Sequence, residues 1–141
     1  MTTILSGVLA AIALTATLLT VSSTVAPAAG VGASATYGST LAKRQTLRSG
    51  CHAYRFAYRV TAPGDDWMAE ISLVSPDGDS LVSHSYKGTA GDPRKASRRF
   101  RFCDVSTSPG RHTITMLVTS YDSYDEDTRR SDPTRFRLTQ R

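Results

Sequence analysis

The chain predicts an all-β fold, an antiparallel β-sandwich, and three observations predict it. Aromatic or apolar residues recur at every second position in several short runs, the mark of half-buried strands. Pro, Gly and Asp cluster between those runs, where turns are needed. After residue 36 no stretch carries the period of an amphipathic helix. A domain of roughly 100 residues buries about two-thirds of its unfolded surface, enough for one modest core.

Residues 36–50 are polar and small, with Lys43, Arg44 and Arg48, and leave open a weak strand or a flexible lead-in. The first convincing strand covers 53–61. Tyr54, Phe56, Tyr58 and Val60 take one face, and Ala53, Arg55, Ala57 and Arg59 the other. Residues 62–66 (Ala-Pro-Gly-Asp-Asp) turn the chain into a second strand, 67–74, with Trp67, Ala69, Ile71 and Leu73 on one side. Ser75-Pro-Asp-Gly-Asp79 places Pro early in a turn and Gly where a positive φ is wanted, so 81–86 returns as the other arm of a hairpin. Residues 87–96 read as a loop and 97–103 as a second arginine–aromatic strand. A turn over 104–110 leads to a strand at 111–119, with Ile114, Met116 and Val118 inward. Residues 120–133 read as a polar, acidic loop, and 134–139 as a closing strand with Phe136 and Leu138. Six strands result.

Residues 1–35 contain no charged side chain. An apolar run from Ile4 to Val21, then small residues ending in Ala33-Ser34-Ala35, is expected to be a secretory signal segment with the mature start at Thr36. The uncharged Met-Thr-Thr start and the length of the run leave an uncleaved anchor as the alternative. The expected organisation is signal segment 1–35, lead-in 36–50 and sandwich 51–141. Secretion is the expected localisation.

Export suits the two cysteines, because disulfides persist outside the cytosol. Cys51 opens one aromatic strand and Cys103 closes the other, which puts them side by side if the strands are antiparallel neighbours. By parity both lie on the arginine side. With Cys51 opposite Cys103, Tyr54 meets Phe100 in the core and Arg55 meets Arg99 outside. Two thiols cannot make an all-cysteine zinc site, and His52, His84 and His112 are scattered.

A Cys-led aromatic strand, a Trp strand, the Ser75-Pro-Asp-Gly-Asp79 turn, Phe102-Cys103 and Ser108-Pro-Gly-Arg-His-Thr-Ile114 follow one another. This order resembles small bacterial exported β-sandwiches of the immunoglobulin-like or jelly-roll kind, including pre-peptidase C-terminal domains. The resemblance spans most of 51–138. It implies a fold and carries no catalytic residue.

Of the 17 Lys and Arg, fourteen are Arg, and the formal net charge is +5. If the two arginine–aromatic strands are neighbours, Arg55, Arg59, Arg99 and Arg101 share one face. Guanidinium forks suit phosphate and carboxylate, so this is a candidate site for anionic envelope polymers. The rings alternate inward, which argues against nucleic-acid stacking. Asp122, Asp125, Glu126 and Asp127 are a candidate Ca²⁺ set, though without EF-hand spacing. No serine-nucleophile elbow, zinc-binding His-Glu-x-x-His or phosphate-cradling loop occurs. The expectation is a non-enzymatic secreted protein without cofactor, bound to an anionic polymer or another secreted protein. The alternatives are a protease inhibitor presenting 88–95 or 120–133, and a Ca²⁺-stabilised accessory module.

Overall fold

The computed structural model describes residues 36–140, so the expected signal segment at 1–35 lies outside the described residues. Among these, nine strands make two sheets. They are β1 (Gly38–Leu41), β2 (Gln45–Thr46), β3 (Cys51–Val60), β4 (Trp67–Val74), β5 (Ser80–Lys87), β6 (Lys95–Cys103), β7 (Gly110–Asp122), β8 (Asp125–Arg130) and β9 (Thr134–Thr139). The first sheet has the order β1-β3-β6, and the second β2-β9-β7-β4-β5, with β8 also on β7. Every pairing is antiparallel except the short β2–β9 bridge.

The two sheets share one core, and the alternation seen in the sequence is what fills it. β3 buries Tyr54, Phe56, Tyr58 and Val60, β6 buries Phe100 and Phe102, and β4 buries Trp67, Ala69, Ile71 and Leu73. Ile114, Met116 and Val118 of β7 meet them with Phe136 and Leu138 of β9. Along β3–β6 the rings stack on the diagonal, Tyr54 with Phe102 at 4.4 Å and Phe56 with Phe100 at 4.0 Å. Diagonal neighbours across an antiparallel pair are within reach of aromatic side chains. Tyr58 stacks on Tyr86 of the other sheet at 4.7 Å.

The register between β3 and β6 is the expected one. Cys51 faces Cys103, Tyr54 faces Phe100 and Arg55 faces Arg99. The two cysteines are joined as a disulfide. Such a bond is compatible with an extracellular or otherwise oxidising setting. Among the described residues no helix is long and apolar enough to cross a membrane.

Three expectations need correction. Residues 120–133 are not a loop: β7 runs on to Asp122, and β8 returns along it from Asp125 to Arg130. Leu117 faces Arg130 whereas Ile114 faces Thr134, so β8 and β9 form one return path carrying an extra residue at 131–133. Ser131 fills that break by donating its N–H to the Met116 carbonyl at 2.9 Å, and Pro133 has no N–H to lose. Next, β6 starts at Lys95 rather than at 97, because Gly88–Ala90 takes up the turn as a short 3-10 segment. Finally, the strands among the described residues number nine rather than six, since residues 36–50 supply β1 and β2 and residues 125–130 supply β8.

The β3–β4 turn is held from both sides. Arg94 donates Nη1 to the Ala62 carbonyl at 2.7 Å and Nη2 to the Gly64 carbonyl, and its guanidinium lies over Trp67. Gly88 passes so close that a Cβ there would sit 2.2 Å from the Asp65 carbonyl and 2.5 Å from Trp67 Nε1.

Two variants test this framework by urea unfolding. Replacing both cysteines with alanine should cost about 4 kcal/mol, the loop-entropy value for a bond spanning 52 positions. A loss below about 1 kcal/mol would contradict a bond that acts by restricting the unfolded chain. Gly88→Ala should cost about 2 kcal/mol by overpacking against Asp65 and Trp67, and an unchanged midpoint would contradict that close approach.

Candidate anion-binding face

Backbone bonding decides which side chains on β3 and β6 come closest. Asp104 N–H donates to the Gly50 carbonyl at 3.2 Å, just beyond the disulfide. That bond makes Cys51–Cys103 a non-hydrogen-bonded pair, the kind in which opposed side chains approach most nearly. Pair type alternates along the ladder, so Ala53–Arg101, Arg55–Arg99, Ala57–Ser97 and Arg59–Lys95 are of the same kind. All of these point away from the core.

The four expected arginines are therefore exposed on one face. The structure sets Arg55 directly against Arg99. Arg59 faces Lys95, and Arg101 faces the small Ala53. Neither strand contains an acidic residue. Among the described residues none of these five cations forms an ion pair. Like charges opposed across strands repel, so the rungs gain from a bound anion.

β1 leaves this sheet after Leu41, and its place beside β3 is taken by a side chain. Gln45 accepts the Arg55 N–H on Oε1 at 2.8 Å and donates Nε2 to the Arg55 carbonyl at 2.9 Å. The crossover to β2 thus leaves shallow recesses around Arg55. One of about 390 Å³ has Leu41, Ala42, Ala57 and Ser97 with Lys43, Arg44 and Arg55 on its walls. A second, of about 470 Å³, gathers Arg48, His52, Arg55 and Arg99. A third lies over Arg55, Ser97, Arg98 and Arg99. No carboxylate lines any of the three.

Sequence reasoning placed Arg55, Arg59, Arg99 and Arg101 together and missed Lys43, Arg44, Arg48 and Lys95. Lys95 shares the parity of Arg99 and Arg101 and was lost only because the strand was begun two residues late. Lys43 and Arg44 join these recesses through the β1–β2 crossover and Arg48 through the segment between β2 and β3, and periodicity gives no signal for either.

Three of the four candidate Ca²⁺ residues, Asp122, Asp125 and Asp127, have hydrogen-bond partners of their own. Asp122 and Asp125 accept the backbone N–H of Ser123 and Glu126 next to them. The slip at 131–133 turns Asp127 and Arg129 toward the core side, opposite Ser120 and Val118. Asp127 Oδ2 there accepts Tyr37 Oη at 2.6 Å and the Arg129 guanidinium at 2.8 Å, with Arg129 over the Tyr37 ring. Bonds from Arg129 and Tyr37 lower the Asp127 pKa, and the bond to Asp127 raises that of Tyr37. Among the described residues no group of three or more His, Cys, Asp or Glu is arranged to hold a metal ion.

The histidines do not converge. His52 donates Nε2–H to the Ser49 carbonyl, and the His84 ring stacks against Phe100 at 5.6 Å with Nε2 buried and unpartnered. His112 is fully buried. The Gly110 carbonyl can only accept, so His112 Nδ1 carries the proton and Nε2 accepts from the Thr107 hydroxyl at 2.8 Å. A threonine–histidine pair has the outline of a general-base dyad, but this ring is sealed from any substrate. Burial lowers its pKa.

No protein-family model matches the chain, and no curated protein matches it. The functional reading rests on the residues themselves.

His112 gives this region a pH dependence with a definite sign. Its folded pKa lies below the unfolded value near 6.5, so the unfolded chain binds more protons between the two. Its contribution is complete above about 6.5 and is lost as pH falls through the folded value. The melting temperature should drop across that interval, and His112→Gln should flatten the drop. An equal slope in both proteins would assign the acid sensitivity elsewhere.

Proposed function

We propose that this chain is an exported, non-enzymatic β-sandwich that binds anionic envelope polymers through the outer face of β3 and β6. The observation carrying this reading is the pair of opposed cationic rungs, Arg55–Arg99 and Arg59–Lys95, on strands without a carboxylate. Guanidinium groups held side by side offer paired donors to phosphate, sulfate or carboxylate, and a linear polyanion releases counterions on engaging them. The charge-free apolar segment at 4–21 and the disulfide support export.

In fold, the reading is immunoglobulin-like rather than jelly-roll. β1, β3 and β6 take the places of strands A, B and E, and β9, β7, β4 and β5 those of G, F, C and C′. The disulfide departs from the antibody pattern, since it lies within one sheet on the solvent side. The inhibitor alternative has less support, because half of its candidate loop region is the β7–β8 hairpin. The Ca²⁺ alternative has less as well, with Asp127 committed to Arg129 and Tyr37.

Retention on heparin resin tests the reading. The protein should bind at low salt and elute as salt rises. Arg55→Gln with Arg99→Gln should reduce the slope of log affinity against log salt by about 0.7–0.9 per cation removed. Flow-through at low salt, or equal elution of the double variant, would overturn it.

A further inference from the structure

Charge is only part of what this face presents. Arg55–Arg99 and Arg59–Lys95 are four positions apart along β3, about 14 Å at roughly 3.4 Å per residue. No single phosphate or sulfate spans that distance. Between them lies an uncharged rung, Leu41–Ala57–Ser97, running across β1, β3 and β6. Leu41 is 63% exposed, one of three large hydrophobic residues left open among the described residues. It is not a protrusion but part of the wall of the 390 Å³ recess, beside Ala42, Ala57, Lys43 and Arg44. Ser97 donates its hydroxyl to the Phe56 carbonyl at 3.3 Å and keeps its lone pairs free to accept.

The occupant must therefore place something uncharged between its anionic groups, with an apolar side and hydroxyl donors. A pyranose ring has both, its C–H face for Leu41 and Ala57 and its hydroxyls for Ser97. We infer that this face takes a polysaccharide bearing its carboxylates or sulfates on sugars. The inference rests on the anion-binding reading and narrows it. A bare polyphosphate would use Lys43 and Arg44 beside the middle rung but would leave Leu41, Ala57 and Ser97 without a complementary group. A nucleic acid would want aromatic platforms, yet the rings of β3 and β6 are all turned inward. A bilayer would want an apolar residue that stands out, and Leu41 lines a recess.

Four probes separate the polysaccharide, polyphosphate and bilayer readings at matched salt: polygalacturonate, chondroitin sulfate, inorganic polyphosphate and phosphatidylglycerol vesicles. The two acidic polysaccharides should bind more tightly than polyphosphate. Leu41→Ser removes an exposed side chain, so the fold should stand, with circular dichroism and melting temperature as the control. That variant should weaken polygalacturonate binding about fivefold, the share expected for partly covering one leucine. Its salt slope and its polyphosphate affinity should not move, and Leu41→Met should restore binding. Equal affinity for polyphosphate with no effect of Leu41→Ser would overturn the polysaccharide inference and leave general polyanion binding standing. Binding to vesicles alone would overturn it in favour of lipid. Failure of all four probes would remove the anion-binding reading itself.

Discussion

The close pairing of Cys51 with Cys103 sets the terms for the rest of the molecule. A disulfide across two strands needs opposed side chains at their nearest approach, and antiparallel ladders offer that only at every second rung. Once that rung is chosen at the end of β3 and β6, the alternation is fixed along both strands. Rings go inward at 54, 56, 58, 100 and 102, and cations outward at 55, 59, 95, 99 and 101. A shift of one residue would exchange the two sets, placing guanidiniums in the core. The covalent bond and the polar face are thus two readings of one register.

That register also explains why the face is so strongly one-signed. Apart from Glu70 on β4, the acidic residues lie in the turns and along the β7–β8 hairpin, where Asp127 meets Arg129 and Tyr37. Asp65 and Asp92 pair with Arg94 and Arg98 near the ends of the strands. The outer surface of β3 and β6 has no such neutralisation, and like charges are set opposite one another at two rungs. Solvent screens much of that repulsion at exposed positions. What is left favours a multivalent counter-ion.

Much of this was legible in the sequence because β3 and β6 spell out their faces residue by residue. Tyr54, Phe56, Tyr58 and Phe100, Phe102 declare one side, and a cysteine at the end of each run supplies the register. β8 was not legible for the opposite reason. Asp-Glu-Asp-Thr-Arg-Arg contains no apolar residue, and the segment is a strand because β7 runs on past its pairing with β9 and offers it a backbone. The slip at 131–133 then reverses its facing, which no parity rule counted from β9 could anticipate. The recess beside Arg55 was hidden too, because it comes from β1 changing sheets rather than from any side-chain pattern.

Gln45 gives that sheet change a further meaning. Where β1 departs, the N–H and C=O of Arg55 would face outward unpaired, an invitation for a foreign β-segment to dock by main-chain bonding. The amide satisfies both groups and extends no further, so it ends the ladder instead of propagating it. Continuation of the sheet by main-chain bonding is thus closed off at Arg55, while the surrounding side chains stay open to solvent. Under the anion-binding proposal, a polymer would settle where the backbone of a second copy finds nothing to pair with.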